Sequence, residues 1–379
     1  MRVGHGIDLL GTVTRLVPER VPPVCDPSRL RTFLIVKLSS IGDVVHALPV
    51  ACALRDRFPS ARITWAVEEW TASLVAGHPA LDRVVVFPTM VRWPKNARAW
   101  TRQLRHAVRE LRSEAYDVAL DLQGLARSAV VTALSRSPLR IARAGQREGA
   151  HLVSYGLPLP NRPLHAVEEY LQVAVSLGAS AERPRFALPV REEARRSIAS
   201  RLAMHGIGSG VKPMVINPSS AQMWKRWPPG SWAAVIDALA TMGPLVLMGS
   251  DSDRAAHADI ARKAARPPID LTGVTTLAEA VALLDRASLH VAPDTGTVHI
   301  AAALGTPVVG VYGPTEPFRV GPFGQANAVV HHRERCGTWC PAYCQRGRAC
   351  LEAVTPGEVI AKARAALAGS CVNISGALS

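Results

Sequence analysis

The stretch APDTGTVHIAAALGTPVVGVYGPTEP, residues 292–317, contains the alternation on which the fold of this protein rests. An apolar run ends in a polar junction at residues 294–297, a helical pattern carrying His299 follows, and a second apolar run begins near Thr306. This is the pattern of a βαβ unit, in which helices join buried parallel strands. Backbone N–H groups and hydroxyls at such a helix start also suit a phosphate group.

The same alternation runs through both halves of the 379-residue chain, a length that favours two domains. The apolar runs that predict strands in the first half are TFLIVKL (residues 32–38), ARITWAVEE, LDRVVVFP, YDVALDLQG and LRIAR. Those in the second half are PMVINPSS, GPLVLMGSD, IDLTG, ASLHVAPDTG, TPVVGVYGP and ANAVVHH. The proline-containing segment 177–193 is the predicted linker.

The predicted organisation therefore has four parts. Residues 1–30 form an N-terminal extension, residues 31–180 and 181–354 form two α/β domains, and residues 355–379 form a C-terminal helix and tail. Open parallel sheets bind ligands at the carboxyl ends of their strands, so the polar residues at those ends are the candidate site residues.

The formal net charge of +14 favours an anionic partner, such as nucleic acid, a phosphate-rich membrane surface or a phosphorylated substrate. A solvated basic surface without a partner is the alternative. Nucleic acid is not expected, because aromatic residues make up only 5% of the chain and no known nucleic-acid module is recognised. No uncharged apolar run reaches about 18 residues and no signal-peptide pattern opens the chain, so a cytoplasmic location is expected.

Four of the seven cysteines lie close together in CGTWCPAYCQRGRAC, at Cys336, Cys340, Cys344 and Cys350. Their spacing matches no usual zinc pattern, although four thiolates in one loop can hold a metal ion. A structural metal site and reduced or locally bridged thiols both remain open. No metal is predicted elsewhere in the chain.

In the first half, the segment LIVKLSSIGDVVHALP places Lys37, Ser39, Ser40, Gly42 and Asp43 where a strand passes into a helix that starts near residue 44. The Asp43 carboxylate has two interpretations: a cap for the helix N-terminus, or a general base that takes a proton from an acceptor hydroxyl. Lys37 interrupts an apolar strand, and the simplest interpretation is a side chain that extends to solvent at the strand end.

In the second half, Lys225 lies in a loop just before a helix start, where a cation suits phosphate binding. Asp253 follows another strand, where a carboxylate can accept hydrogen bonds from a ribose. The sequence contains neither a Walker A motif nor a convincing D-x-D metal pair, which argues against a P-loop ATPase.

Several of these segments together resemble glycosyltransferase family 9, the bacterial ADP-heptose:lipopolysaccharide heptosyltransferases. They are VKLSSIGDVVHALP, WAVEEW, DLQGLARSA, HAVEEYL, WKRWPPGSW and PDTGTVHIAAALGTPVVGVYGPTEP, in the same order over residues 31–330. The early motifs are most similar to the heptosyltransferase I branch.

The resemblance implies a GT-B fold of two Rossmann-like domains facing each other across a cleft, with the acceptor held by the first and the nucleotide sugar by the second. It implies an inverting transfer of heptose from ADP-heptose to the Kdo-containing inner core of lipopolysaccharide, with no metal or cofactor required. Asp43 matches the catalytic base and Lys225 the lysine on the donor diphosphate. Asp294, Thr295, Gly296 and His299 match the family's donor-binding motif. Thr297, where the sequence departs slightly from the family pattern, and Asp253 are predicted to bind the donor with them. Asp253 stands where the family usually has glutamate.

The segment VRWPKNARAWTRQLRHAVRELR, residues 91–112, carries arginines at helical spacing. Arg92, Lys95 and Arg98 are predicted to contact the acceptor, together with Lys37, Ser39, Ser40 and Gly42. The rest of the basic face contacts anionic core sugars or lipid phosphates of the inner leaflet, or it is simply solvated. Other functions remain open: a glycosyltransferase of the same fold with another nucleotide sugar or a small-molecule acceptor and, more remotely, a nucleic-acid-binding protein.

Overall fold

The computed structural model describes residues 29–90, 96–158, 161–336 and 349–372. The chain divides into two compact units, unit 1 at Met1–Pro189 and unit 2 at Val190–Ser379. The division lies nine residues beyond the end of the predicted first domain, inside the proline-containing segment.

Unit 1 alternates strands and helices, as its apolar runs predict. Its elements are β1 Thr32–Val36, α1 Ile41–Arg57, β2 Arg62–Glu68, β3 Arg83–Phe87, α2 Ala97–Arg112, β4 Val118–Asp121, α3 Ala126–Leu134, β5 Leu139–Ala142, β6 Tyr155–Gly156 and α4 Ala166–Val175. Each apolar run predicted as a strand in this half contains an observed strand, whereas the two-residue β6 has too few residues to leave an apolar pattern.

The strands of unit 1 form one parallel sheet in the order β3-β2-β1-β4-β5-β6. The chain passes from β1 outward to β3, then returns to the other side of β1 to begin β4. The carboxyl ends of β1 and β4 are therefore neighbours where the strand order reverses, which is the usual ligand position in such sheets.

Unit 2 repeats this alternation. Its elements are α5 Glu192–Met204, β7 Met214–Ile216, α6 Pro229–Leu239, β8 Leu245–Leu247, α7 Arg254–Lys263, β9 Ile269–Asp270, α8 Leu277–Arg286, β10 Leu289–Pro293, α9 Gly296–Ala303, β11 Val308–Tyr312, α10 Pro317–Val320, β12 Val329–His331, α11 Ala349–Glu352 and α12 Pro356–Val372. The sheet order is β12-β11-β10-β7-β8-β9, all parallel, so the strand order reverses between β7 and β10.

Each sheet is buried by apolar residues from the helices beside it. In unit 1, Ala107 and Leu111 of α2 and Val131 of α3 pack on the same side of the sheet, against Leu34 and Val36 of β1. In unit 2, the C-terminal helix α12 packs on the sheet of its own unit through the buried residues Val359 and Ala363. Within the residues described, no helix is both long and apolar enough to cross a membrane.

Candidate functional site

The carboxylate of Asp43 lies at the carboxyl edge of the first sheet, in the third position of α1. One of its oxygens, Oδ2, accepts hydrogen bonds from the backbone N–H of Ser40 at 3.3 Å and from the Ser40 hydroxyl at 2.8 Å. Ser40 is the N-cap of α1, so Asp43 completes a capping box and the helix begins at Ile41, three residues earlier than predicted.

The other carboxylate oxygen of Asp43 faces a buried lysine–tyrosine pair. The hydroxyl of Tyr170 donates to Asp43 Oδ1 at 3.0 Å, and Lys37 Nζ lies 3.8 Å from the same oxygen. Lys37 Nζ also donates to the Tyr170 hydroxyl at 2.9 Å and to the Leu122 carbonyl at 3.3 Å. An ammonium group can only donate, so the hydroxyl accepts from Lys37 and gives its own proton to Asp43.

This arrangement keeps Asp43 ionised. Burial would raise the pKa of Asp43, but the Lys37 ammonium and the Ser40 hydrogen bonds outweigh that effect and hold the pKa well below its usual range. Burial lowers the pKa of Lys37 to about 8, against the opposing effect of the Asp43 charge. The Asp43 side chain is still 44% exposed, so a charged carboxylate that caps a helix is also open to a reactant. The two interpretations of Asp43 are therefore compatible.

The prediction that Lys37 extends to solvent is wrong. Its side chain is only 3% exposed, because the ammonium finds its partners inside unit 1, on α4 and at the end of β4. Lys37 therefore acts on the site through Asp43 and Tyr170 and is closed to direct contact with an acceptor.

Two residues that sequence reasoning missed hold the loop between β1 and α1. Gln123 Oε1 accepts from the backbone N–H groups of Leu38 and Ser39, at 3.2 and 3.3 Å. Arg127 donates to the Ser39 hydroxyl at 2.8 Å. Both follow β4, and the motif DLQGLARSA is the one signal in the sequence that contains them.

In unit 2, the buried carboxylate of Asp294 follows β10 and lies between two basic side chains. Lys225 Nζ donates to Asp294 Oδ2, and His299 Nε2 lies 3.8 Å from Asp294 Oδ1. Burial would raise the pKa of Asp294, but the interactions with His299 and Lys225 hold it well below its usual range. Asp294 thus fixes the position of the lysine predicted to meet the donor diphosphate.

The side chain of Thr297 binds the protein itself. His290 is buried at the centre of the sheet, where its Nδ1 bonds the Val215 carbonyl at 3.2 Å and its Nε2 lies 3.0 Å from Thr297 Oγ1. Burial lowers the pKa of His290 to about 4, so the ring is neutral, and with its proton on Nδ1 it accepts at Nε2 from the Thr297 hydroxyl. Asn217 Nδ2 donates to the same hydroxyl at 3.2 Å. This corrects the predicted donor contact, since Thr297 keeps only its backbone N–H for a phosphate.

Thr295 and Gly296 retain the arrangement that the sequence predicts. Thr295 is the N-cap of α9, its side chain makes no capping hydrogen bond, and Gly296 opens the helix. The first amides of a helix have no partner within the helix, so they are available to an anion.

Asp253 completes the capping box of the short 3-10 helix Asp251–Asp253, whose N-cap is Ser250. Its Oδ2 accepts from the backbone N–H of Ser250 at 2.9 Å and from the Ser250 hydroxyl at 2.5 Å. Its Oδ1 lies 3.6 Å from Arg226 Nη2. Ser219 also hydrogen-bonds this carboxylate. A ribose hydroxyl at Oδ1 would therefore share that oxygen with protein groups, whereas the sequence suggested a whole carboxylate.

The other predicted residues divide between described and undescribed segments. Gly42 is in the first turn of α1, and Arg98 is exposed in the first turn of α2. Arg92, Lys95, Cys340 and Cys344 lie outside the described residues, as does the side chain of Cys336, while Cys350 is buried. Within the described ranges, no group of three or more His, Cys, Asp or Glu side chains is placed to hold a metal ion.

The comparison with known families bears on both units. The model described as "Glycosyltransferase family 9 (heptosyltransferase)" matches residues 104–345, which is more than half of the chain. The chain belongs to glycosyltransferase family 9. The resemblance read from the motifs is confirmed, and the protein is a glycosyltransferase.

Relatives within the family cover most of the chain. Lipopolysaccharide heptosyltransferase 1 of Pseudomonas aeruginosa is 30% identical over 305 residues, which are 77% of this chain and 81% of the relative. Lipopolysaccharide heptosyltransferase 1 of Escherichia coli K12 is 30% identical over 312 residues, 78% of this chain and 92% of the relative.

Solved structures agree with the fold. A family 9 glycosyltransferase from Veillonella parvula has a TM-score of 0.78 at 21% identity and covers 89% of this chain and 98% of its own. The E. coli heptosyltransferase WaaC, solved with ADP, has a TM-score of 0.70 at 26% identity, covering 88% and 99% of the two chains. The expected fold class, two Rossmann-like α/β domains of the GT-B type, is confirmed.

Proposed function

We propose that this family 9 enzyme transfers heptose from ADP-heptose to the Kdo-containing inner core of a lipopolysaccharide precursor, with inversion at the anomeric carbon and without a metal ion. We place the reaction on the cytoplasmic side of the inner membrane, where such an acceptor is lipid-anchored. Unit 1 supplies the general base for the acceptor, and unit 2 binds the donor.

The observation that carries this proposal is the state of Asp43, a half-exposed carboxylate held ionised by Lys37 and Ser40. In a single displacement, an acceptor hydroxyl attacks the anomeric carbon of heptose, its proton passes to Asp43, and the bond from that carbon to the ADP oxygen breaks. Inversion follows, because attack and departure occur on opposite faces of the carbon. A carboxylate that is charged and open is the group this step requires.

Unit 2 supports the departure of ADP. The leaving diphosphate gains negative charge, and Lys225 and the first amides of α9 provide positive charge and N–H donors for it. Because these groups belong to the protein, we infer that the diphosphate can be stabilised without a divalent cation. His299 lies beside Asp294 in the first turns of α9, so it adds a second basic side chain to the predicted diphosphate site.

The choice of donor rests on the relatives. Two relatives at 30% identity are named lipopolysaccharide heptosyltransferases, and the related WaaC was solved with ADP. A nucleotide sugar with another base, or a small-molecule acceptor, would keep the same chemistry at Asp43 and Lys225. The experiments therefore test the nucleotide and the acceptor separately.

The first experiment is calorimetric binding of ADP, UDP and GDP in the presence of EDTA. We expect ADP to bind selectively, and Lys225→Ala to weaken it about 10- to 100-fold, the value of a charge-assisted hydrogen bond. Lys212→Ala is the matched control, because Lys212 is an exposed lysine of the same unit. Preference for UDP, or loss of ADP binding in EDTA, would reject the donor or the metal-independent part of the proposal.

The second experiment measures transfer by Asp43→Ala with ADP-heptose and a Kdo-bearing lipid acceptor. We expect transfer to be lost while ADP affinity is unchanged, because Asp43 belongs to unit 1. If the variant instead unfolds or retains transfer, Asp43 is only a helix cap. Turnover of a small glycoside at the rate of the lipid acceptor would reject the lipopolysaccharide assignment.

A further inference from the structure

Helix α2 carries a row of arginines on the side that faces solvent. Arg98, Arg102, Arg105, Arg109 and Arg112 are all exposed, and at 100° per residue they fall within a narrow arc. Ala107 and Leu111 are buried on the opposite side against the sheet. Among the described residues, the side chains of Arg102, Arg105 and Arg109 form no ion pair or hydrogen bond.

The acidic residue of α2 does not neutralise this row. Glu110 lies on a different side of the helix, where its carboxylate accepts from Arg83 at the edge of the sheet at 2.6 Å. At the other side of the row, Arg112 Nε donates to the Leu134 carbonyl at the end of α3 at 3.2 Å. The arginine row therefore faces away from Glu110 and borders α3.

Exposed apolar side chains continue this surface. Val130 of α3 is 52% exposed, and Leu152 is 81% exposed on the short 3-10 helix Ala150–Leu152, which packs against α3. A row of cations next to protruding apolar side chains is the combination that binds lipid headgroups and the adjoining hydrocarbon.

The length of the row argues against a single sugar acceptor as its ligand. From Arg98 to Arg112 the helix rises about 21 Å. Helix α2 follows β3 and precedes β4, so it runs from the carboxyl edge of the sheet, where Asp43 lies, to the opposite edge. The arginines of its last turns are thus remote from the acceptor position, and an extended anionic surface fits the whole row.

We propose that the surface formed by the arginine row of α2 with Val130 and Leu152 docks unit 1 on an anionic lipid bilayer. A basic residue close to such a surface strengthens binding by about fivefold, and the effect is screened by salt. This proposal does not depend on the identity of the donor, and it gives the protein a membrane contact of its own, apart from the lipid of its acceptor.

The test is co-sedimentation with vesicles of phosphatidylethanolamine containing about one-third phosphatidylglycerol, free of any sugar acceptor. We expect the protein to bind these vesicles and to bind phosphatidylcholine vesicles far less. The combined variant Arg102→Gln, Arg105→Gln, Arg109→Gln should reduce the partition constant about 100-fold. Leu152→Asp should also reduce binding, whereas a purely ionic contact would be indifferent to it.

A matched control removes the same charge elsewhere. Arg183, Arg191 and Arg364 are exposed and, in the described part of the chain, their side chains form no hydrogen bond or ion pair, so their triple glutamine variant should bind vesicles like the wild type. Equal loss in both triple variants would show a net-charge effect and overturn the proposal. The proposal would also be overturned if the protein bound duplex DNA more tightly than vesicles and did so through Arg102, Arg105 and Arg109.

ADP affinity and turnover of a water-soluble acceptor distinguish a failure of this proposal from a failure of the proposed function. The α2 variant should keep its ADP affinity and its turnover of a water-soluble acceptor, and lose turnover only with vesicle-borne acceptor. If it loses turnover equally with both acceptors, the row contacts the acceptor and the bilayer assignment is wrong.

Discussion

The hydroxyl of Tyr170 lies 3.0 Å from Oδ1 of Asp43 and 2.9 Å from the ammonium of Lys37. These residues come from α4, α1 and the end of β1, and α4 packs along α1. Burial and the nearby Asp43 charge raise the pKa of Tyr170 well above 10, so its proton stays on the hydroxyl and is directed at the carboxylate. Tyr170 thus links a buried cation to the predicted base.

We expect Tyr170→Phe to lower kcat about 10- to 100-fold, the value of a hydrogen bond to a charged group. A neutral donor favours the ionised carboxylate, so its removal raises the pKa of Asp43 and moves the acidic limb of the pH–rate profile to higher pH. The measurement is kcat and KM against pH, with KM for the donor unchanged. Tyr116→Phe, at a buried tyrosine just before β4, is the control. If the acidic limb of the pH–rate profile does not move, Tyr170 contributes only to packing.

Thr297 and Thr295 should respond to the same substitution in opposite ways. Thr297→Val leaves the buried His290 Nε2 without a donor and Asn217 without an acceptor, so we expect a loss of about 1–3 kcal/mol in the free energy of unfolding and little change in ADP affinity. Thr295→Val removes a hydroxyl that caps nothing, so stability should hold while ADP binding weakens. Denaturant unfolding and calorimetry on both variants measure this, and the reverse pattern would restore Thr297 as a donor contact.

Asp253→Ala removes a capping carboxylate, together with the oxygen that lies near Arg226. We expect the free energy of unfolding to fall by about 1 kcal/mol, as for other lost caps. ADP affinity should fall less than about tenfold, because the carboxylate is already engaged by Ser250, Ser219 and Arg226 and has little capacity left for a ribose. Ser250→Ala is the control, since it weakens the cap and leaves that oxygen in place. A larger loss of ADP affinity than of stability would argue for a principal role in ribose binding.

The pH dependence of stability should report on Asp294. Its pKa in the folded state is depressed, so its contribution to stability is fully present above the unfolded value of about 3.9 and is lost as the pH falls further. We expect the wild type to lose more stability than Asp294→Asn between about pH 5 and pH 2. Unfolding by urea at several pH values tests this, and parallel curves for the two proteins would contradict it.

Much of the fold could be predicted because strands buried on both faces need continuous apolar residues. Runs such as TFLIVKL and TPVVGVYGP therefore predict strands, and each contains an observed strand. The helix boundaries were predicted less accurately. Helix α1 begins directly after the Ser40–Asp43 capping box, and the hydrophobic pattern carries no information about a cap.

Local patterning can place a candidate residue along the chain, and the function of that residue stays a prediction. Asp43, Asp294 and Thr295 lie in a loop or first helical turn that follows a strand, and Lys225 ends the short 3-10 helix Met223–Lys225 before α6. The local pattern marks these positions. Tyr170 was missed because it lies 127 residues from Asp43, and no local pattern encodes a distance between two helices.

The sequence by itself determined the alternating strands and helices, the two units and the family, since these depend on local patterning and on motifs. The tertiary structure alone decided what each polar atom binds. In the folded chain the side chain of Lys37 is buried, the Thr297 hydroxyl hydrogen-bonds His290, and Asp253 caps a helix start through Ser250. A buried donor or acceptor must be paired, and its partner is set by which elements meet in space.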